Sequence, residues 1–287
     1  MHGYTTVKTY AAQFEKALLI ASRLDENVHS TEPILLCYST ISENIPAAWA
    51  CLLSGREFHP CSPALLYRDK VAFWEQFDRS MMSLNADAVL SDAETATTLR
   101  TIAKEQGSAA TIDDTSSWAM QGQPKSHILY ENLTPANVYI QTSGSTGIPK
   151  LACISGDTLM HRFYDGIGPD NRVMLNVLAS HSIGGMRTIL PLGRTNIRLE
   201  PARLMALPQS WWELVNKYQV TDVDLTNLNV SNLIAHMANG AAYNAKSLER
   251  LAFGAEPIKP ATITRFFQLL RHGGMRNAKS TFVYSMT

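Results

Sequence analysis

Hydrophobic positions recur at two spacings along the chain, and their alternation predicts an α/β fold. Apolar side chains at helical spacing run from Tyr10 to Leu24 and again from Asp69 to Asn85. Short apolar runs of the kind that form buried strands lie between them, as at 33–38 and 88–90. The pattern of the first part of the chain is therefore β-α-β-α-β-α, which is typical of a mostly parallel sheet flanked by helices.

Three more elements complete this first part. Ser42 is expected to cap the second helix, which ends before Gly55. A short strand is predicted at 57–60 and a helix at 94–105. Residues 107–135 are rich in Ser, Gln, Asp and Thr and are expected to form a surface connection.

The same alternation continues in the second half. Strands are predicted at 138–141, 151–155, 172–178, 195–200, 220–226, 248–253 and 281–284, and helices at 157–164, 208–218, 229–238 and 260–271. We expect one structural domain with a first α/β subdomain over 1–135 and a second over 136–287.

Composition and net charge limit the kinds of binding partner that are expected for the protein. Of 287 residues, 45% are hydrophobic and 17% charged, with 25 basic and 25 acidic side chains. A formal charge of zero favours neither nucleic acid nor an anionic membrane as partner. The four cysteines (Cys37, Cys51, Cys61 and Cys153) show no paired spacing, so neither a zinc site nor a disulfide framework is predicted. With no signal peptide and no long apolar run, a cytoplasmic location is expected.

The segment richest in candidate chemistry follows the predicted strand 138–141. Its sequence is Thr142-Ser143-Gly144-Ser145-Thr146-Gly147-Ile148-Pro149-Lys150. The glycines allow tight bends, and the hydroxyl and backbone N–H groups can converge on an anion. The lysine adds a mobile positive charge that suits a polyphosphate. The spacing differs from the Walker loop, and a flexible polar turn is the structural alternative.

This segment resembles, residue for residue, the phosphate-binding signature of the adenylate-forming enzymes. The resemblance extends from about Tyr10 to Thr287 and is greatest to fatty acyl-AMP ligases and to adenylation domains of polyketide and nonribosomal peptide synthetases. It implies the N-terminal domain of the adenylate-forming fold, in partial form, with the C-terminal lid absent. Leu151 and the pair His181-Ser182 depart from the residues usual in the family.

Two further segments resemble the family's adenine-binding parts. Gly254-Ala255-Glu256-Pro257 resembles the segment whose backbone lies against the adenine ring, although a structural turn also explains it. Tyr284-Ser285-Met286-Thr287 resembles the motif in which a tyrosine stacks on adenine and a threonine reaches the α-phosphate. Ser285 replaces the usual glycine. The glutamate that binds magnesium in the family would lie just past Thr287.

The acid site is expected around His181 and Asn229. His181 follows a predicted buried strand and resembles the residue that orients the substrate carboxylate, although a lone histidine often has only a structural role. Asn229 lies where the family's acid-binding helix begins, and both it and Ser231 have the alternative role of helix-start residues. Leu228 replaces the usual proline. No aspartate stands where amino-acid-activating domains hold an ammonium group, which favours a fatty or other non-amino acid.

The resemblance implies ATP-dependent activation of a carboxylic acid to an acyl-adenylate, with Mg²⁺ and transfer to a carrier-protein or coenzyme A thiol. Lys150, His181 and Thr287 would be the catalytic residues. Since the lid and the metal-binding glutamate are expected to be missing, the chain alone should bind nucleotide weakly and turn over poorly. A second chain or the missing C-terminal lid domain is the partner that this implies.

Two other functions compete with this one. The first is a degenerate or split adenylation subunit that binds nucleotide or a partner chain without turnover. The second is a nucleotide-dependent oxidoreductase, which requires G-x-G-x-x-G after the first strand. Residues 36–42 contain no glycine.

Overall fold

A computed structural model describes residues 7–63, 66, 68–118, 136–142, 150–159, 171–177, 194–238, 240, 243–254 and 256–283. The chain divides into two compact units, Met1–Arg162 and Phe163–Thr287. The strand that precedes the phosphate-loop segment pairs with a strand of the first unit, Phe58 lying opposite Val138. The two strands that flank the predicted phosphate loop therefore belong to the sheet of the first unit. The sequence analysis assigned them to the second subdomain, 136–287.

The described residues of the first unit form a six-stranded sheet with helices packed against it. Its described elements are α1 (Tyr10–Asn27), β1 (Ile34–Cys37), α2 (Ile41–Leu53), β2 (Phe58–Cys61), α3 (Lys70–Leu84), β3 (Ala88–Ser91), α4 (Ala93–Glu105), β4 (Thr111–Asp114), α5 (Thr115–Trp118), β5 (Val138–Gln141) and β6 (Leu151–Ile154). The strand order is β4-β3-β1-β2-β5-β6, and the pairs are parallel except for β5 and β6. Every residue of β1, β2 and β3 is buried, as expected for parallel strands covered on both faces.

Aspartates fix the starts of two of these helices. Asp69 accepts a 3.0 Å hydrogen bond from the Ala72 N–H at α3. Asp92 accepts one of 3.1 Å from the Thr95 N–H at α4. Such caps satisfy N–H groups that have no partner within the helix.

Two expectations for this unit are wrong. The N-cap of α2 is Thr40 rather than Ser42, so the helix begins at Ile41. The stretch 107–135, expected to be a connection, contains β4 and α5. β4 is a polar edge strand of four residues in which Ile112 alone is buried, so it lacks the apolar run from which a strand is predicted.

The second unit is a five-stranded parallel sheet. Its described elements are β7 (Val173–Asn176), β8 (Thr195–Arg198), α6 (Pro201–Ala206), α7 (Gln209–Tyr218), β9 (Asp222–Leu225), α8 (Asn227–Ala238), β10 (Arg250–Phe253), α9 (Pro260–His272) and β11 (Lys279–Phe282). The strand order is β11-β10-β9-β7-β8. The short helix α6 has no counterpart in the predicted elements.

Alternate strand residues of this sheet form one apolar core with the helices. Val223, Leu225 and Phe253 belong to it from the strands, and Trp211 and Phe266 from α7 and α9. Trp211, Phe253 and Phe266 are fully buried. Because this face anchors α7, α8 and α9, the loops at the carboxyl ends of β9, β10 and β11 start from fixed positions, and in open α/β sheets ligands bind at such ends.

Candidate functional site

The predicted phosphate-binding segment connects the two strands of a β-hairpin. β5 and β6 are antiparallel, with Gln141 opposite Leu151. The next backbone bond joins the ends of the connection, where the Thr142 N–H donates to the Lys150 carbonyl oxygen at 2.7 Å. Thr142 is buried and Lys150 exposed. The lysine is therefore held at the mouth of a closed loop with its side chain in solvent; residues 143–149 lie outside the described residues.

A polar cluster connects β5, the strand that leads into this loop, to β2. The Tyr139 hydroxyl donates to Glu57 Oε2 at 2.7 Å, and Asn137 Nδ2 donates to Glu57 Oε1 at 2.5 Å. The ring nitrogen Nδ1 of His59 lies 2.7 Å from the Tyr139 carbonyl oxygen. The hydrogen bond to Glu57, together with partial burial, raises the pKa of Tyr139 well above its usual range. The phenol therefore stays protonated as a donor to the carboxylate.

In the second unit, the predicted acid-binding helix α8 begins with a reciprocal cap. The Asn229 side-chain oxygen accepts from the Thr226 N–H at 3.0 Å, and the Thr226 hydroxyl accepts from the Asn229 N–H at 3.2 Å. This is the geometry of a capping box, with Thr226 as N-cap. Asn229 is buried, and its oxygen is bonded within the protein. Leu228, beside it, exposes 57% of its surface.

Gly254, the first residue of the predicted adenine segment, lies against the exit of β11. A Cβ at Gly254 would stand 2.7 Å from the Val283 carbonyl oxygen. The strand pairing continues on both sides, since the Gly254 N–H donates to Leu225 O at 3.2 Å and the Val283 N–H donates to Phe253 O at 2.7 Å. Glycine is needed here for close backbone packing, a reason independent of any bound base.

Three hydrogen bonds join the start of α8 to the residues after Gly254. The Leu228 N–H donates to Glu256 Oε1 at 2.9 Å. Asn227 Nδ2 donates to the Pro257 carbonyl oxygen, and Asn227 Oδ1 accepts from the Lys259 N–H at 3.2 Å. We call these three bonds the loop bridge. They connect the segment predicted to bind the acid with the segment predicted to bind adenine.

Sequence reasoning found these segments but missed the bridge. An asparagine before a helix is usually interpreted as a local cap, and nothing in the sequence indicates that Asn227 bonds to residues some thirty positions later. His181, Ala255, Tyr284 and Thr287, which were also predicted for the site, lie outside the described residues.

Arg194, the residue before β8, is buried. Within the described ranges, no cluster of three His, Cys, Asp or Glu side chains is placed to hold a metal ion. None of the described helices has the length and hydrophobicity needed to cross a membrane.

The sequence matches the model of an enzyme family over almost its whole length. The family model described as AMP-binding enzyme matches residues 2–287. The chain belongs to the AMP-binding enzyme family. No curated protein matches it.

Solved structures agree with this fold. The adenylation domain of a keto acid-selecting NRPS module bound to keto acyl adenylate is 19% identical with a TM-score of 0.86, covering 98% of this chain and 53% of that one. McyG A-PCP complexed with phenylalanyl-adenylate is 20% identical with a TM-score of 0.87, covering 98% and 46%.

A fatty acyl-adenylate ligase from L. pneumophila, in complex with acyl adenylate and pyrophosphate, is 18% identical with a TM-score of 0.77, covering 96% and 49%. The chain thus spans about half the length of these structures, and the likeness establishes the mostly parallel α/β fold expected from the sequence.

Proposed function

We propose that this protein activates a carboxylic acid with ATP, forming an acyl-adenylate and pyrophosphate. The observation that carries the proposal is the hydrogen bond between Thr142 and Lys150, which closes the Ser/Thr/Gly segment into a hairpin loop and places the lysine at its mouth. A closed loop of this composition offers N–H and hydroxyl donors to the β- and γ-phosphates. Membership of the AMP-binding enzyme family supports the same nucleotide.

The chemistry requires alignment and charge stabilisation more than covalent help from the protein. A carboxylate oxygen of the acid forms a bond to the α-phosphorus, the bond from that phosphorus to the bridging oxygen breaks, and pyrophosphate leaves with the electron pair. Lys150 and the loop donors offset the charge on the departing phosphates. Mg²⁺, when bound, would neutralise phosphate charge. Within the proposal, His181 orients the carboxylate, Tyr284 stacks on adenine and Thr287 contacts the α-phosphate.

We infer an apolar, non-amino acid as substrate from the start of α8. Leu228 is the exposed side chain there, while its neighbours Asn227 and Asn229 are buried and bonded to protein groups. An exposed leucine between buried amides suits an alkyl chain. The first turn of α8 carries no charged side chain that would attract an ammonium group.

The acyl group then passes to a thiol, on a carrier protein or coenzyme A. A structural neighbour that is an A-PCP protein supports the carrier-protein thiol as acceptor. We place the protein in the cytoplasm, where both thiols occur.

Calorimetry with ATP, ADP and a series of acyl-sulfamoyl adenosines tests the proposal. These compounds join the adenosine to an acyl chain through a stable link, so their affinities report both halves of the site. We expect affinity to rise with chain length to an optimum, by roughly fourfold for each added CH₂ that is buried.

Leu228→Ala should reduce that increment, whereas Val71→Ala, which removes an equally exposed apolar side chain from α3, should leave it unchanged. Phenylalanyl-sulfamoyl adenosine that bound more tightly than every fatty acyl compound would contradict the assigned acid class. A protein that bound neither ATP nor any of the analogues would contradict the proposed activity itself.

A further inference from the structure

The loop bridge joins two segments that the proposed function assigns to different halves of one ligand. Glu256 and Pro257 belong to the segment predicted for adenine, and Leu228 and Asn229 to the helix start predicted for the acid. The bonds cross between loops that leave neighbouring parallel strands, β9 and β10. Displacement of either loop therefore breaks bonds to the other.

Glu256 gives the bridge its one bond to a carboxylate. Its carboxylate accepts from the Leu228 N–H at 2.9 Å in the first turn of α8. Negative charge at a helix N-terminus is stabilised by the helix dipole, and hydrogen bonds to ionised groups are about twice as strong as neutral ones. The bond therefore ties the backbone of the exposed leucine to residue 256.

Asn227 makes the bridge rigid because it is bonded at both ends of its amide. It donates to the Pro257 carbonyl oxygen and accepts from the Lys259 N–H, and it is almost fully buried. A planar amide held at two points fixes the spacing of the two backbones. The Thr226–Asn229 cap stabilises α8 itself but makes no bond to residues 256–259, so the coupling depends on Asn227 and Glu256.

We propose that Asn227 and Glu256 are positioning residues that couple the two halves of the site, so that adenosine bound against Gly254, Glu256 and Pro257 fixes the helix start that receives the acyl chain. The inference rests on the proposed function. An acyl chain attached to the nucleotide adds affinity. The inference predicts that loss of the bridge reduces this added affinity more than it reduces the affinity for the nucleotide alone.

The test compares sulfamoyl adenosine with the acyl-sulfamoyl adenosine that binds wild type most tightly. The ratio of their affinities measures the acyl contribution. We expect this ratio to fall about tenfold in Glu256→Ala and in Asn227→Ala, from the loss of bonds to charged or buried groups. Glu256→Gln keeps an acceptor for Leu228 and should stay within about threefold of wild type. Glu249→Ala, which removes an exposed carboxylate just before β10, should match wild type.

Hydrogen exchange provides a second measurement for a variant that folds poorly at 25 °C. In wild type, sulfamoyl adenosine alone should slow exchange in the first turn of α8, and this protection should be absent in Glu256→Ala. An unchanged affinity ratio in both alanine variants, or equal protection with and without the bridge, would overturn the coupling while leaving the proposed function intact. A wild-type protein that binds neither compound overturns both.

Discussion

Gly254 and Val283 approach so closely that a single methyl group at residue 254 would stand 2.7 Å from the Val283 carbonyl oxygen. The contact joins the exits of β10 and β11, where two segments predicted to contact adenine begin. Since the opposing atom belongs to the backbone, no side-chain rotation can relieve the clash. The spacing of these two exits therefore depends on the absence of a side chain at residue 254.

Gly254→Ala should destabilise the protein and disturb nucleotide binding together. We expect a loss of about 1–3 kcal/mol in the free energy of unfolding, the usual cost of overpacking, and a fall of roughly tenfold in ADP affinity. Urea unfolding and calorimetry measure the two effects.

Gly240→Ala is the control variant, because it introduces backbone strain without a steric clash. Gly240 has a φ of +81° and nothing within 4 Å of an added Cβ. That variant should lose about 1 kcal/mol of stability from the left-handed conformation and keep its ADP affinity. If Gly254→Ala proved as stable as wild type, the described packing of β10 on β11 would be wrong.

Asp92 is expected to make stability pH-dependent at acid pH. Burial alone would raise the pKa of its carboxyl, but hydrogen bonds from Ser39 and Thr95 outweigh this and lower the pKa below its ordinary value of 3.8. A depressed pKa stabilises the folded state above the ordinary value, and that contribution is lost as pH falls through the folded-state pKa. Asp92→Asn, which keeps a capping oxygen without the charge, should therefore be less stable than wild type at neutral pH, and the difference should shrink as pH falls below 3.8.

The size of the effect can be compared with the cap of α3. Asp92→Ala should cost about 1–2 kcal/mol at neutral pH. Asp69→Ala removes an exposed aspartate that makes one capping bond to the Ala72 N–H, and it should cost less. Equal losses in urea unfolding would show that the additional bond from the Ser39 N–H to Asp92, at 2.6 Å, contributes nothing.

The thiols should differ sharply in reactivity. Cys37, Cys51 and Cys61 are buried, and Cys153 is exposed on β6. Burial raises the pKa of Cys51 from an ordinary 9.0 to about 12, and it also raises the pKa values of Cys37 and Cys61. At pH 8 we expect Ellman's reagent to modify one thiol per chain quickly and the other three only after unfolding. Cys153→Ser should abolish the fast phase, and a fast phase that persisted would contradict the described burial.

The same burial predicts a loss of stability at alkaline pH. A thiol whose folded-state pKa is raised favours the folded state while it is protonated. The contribution of Cys51 is thus complete below 9.0 and decreases as pH rises towards about 12. Cys51→Ala should flatten this decrease in a pH series of urea unfolding curves, whereas Cys153→Ser should not.

The cluster around Glu57 should support the phosphate loop from below. Glu57→Ala leaves the Tyr139 hydroxyl and the Asn137 amide without their acceptor, at a cost of about 1–3 kcal/mol. Because β5 leads directly into Thr142, ATP affinity should fall while adenosine affinity changes little. Glu105→Ala, at the exposed end of α4, is the matched control. Equal weakening of ATP and adenosine would contradict a role beneath the phosphates.

Most elements were predictable because their signals are local. The helical pattern predicted from Asp69 to Asn85 is confirmed: Asp69 is the N-cap of α3 and Asn85 is its C-cap. The strand 138–141 is confirmed with the same bounds. β4 was not predicted because it is a strand through its pairing with β3 and not through its own composition.

The segments of the candidate site can be recognised in the sequence, whereas their hydrogen bonding is seen only in the structure. The Ser/Thr/Gly segment is recognisable by its composition, and its position in a β-hairpin follows from the strands on either side. The role of Asn229 was ambiguous, and the structure shows its oxygen bonded to Thr226 in the cap of α8. Its role as an acyl-binding residue stays a prediction. The partnership of Asn227 with Pro257 and Lys259 depends on the packing of β9 beside β10, which no local pattern encodes.

The most direct test of the central claim is the difference in calorimetric affinity between ATP and adenosine, in wild type and in Lys150→Ala. If the triphosphate binds in the loop between Thr142 and Lys150, wild type should bind ATP more tightly than adenosine, and Lys150→Ala should lose roughly tenfold or more of that difference with adenosine affinity unchanged. Lys104→Ala, an exposed lysine on α4, should behave as wild type. An ATP preference that survives the loss of Lys150, or no preference for ATP in wild type, would contradict the account.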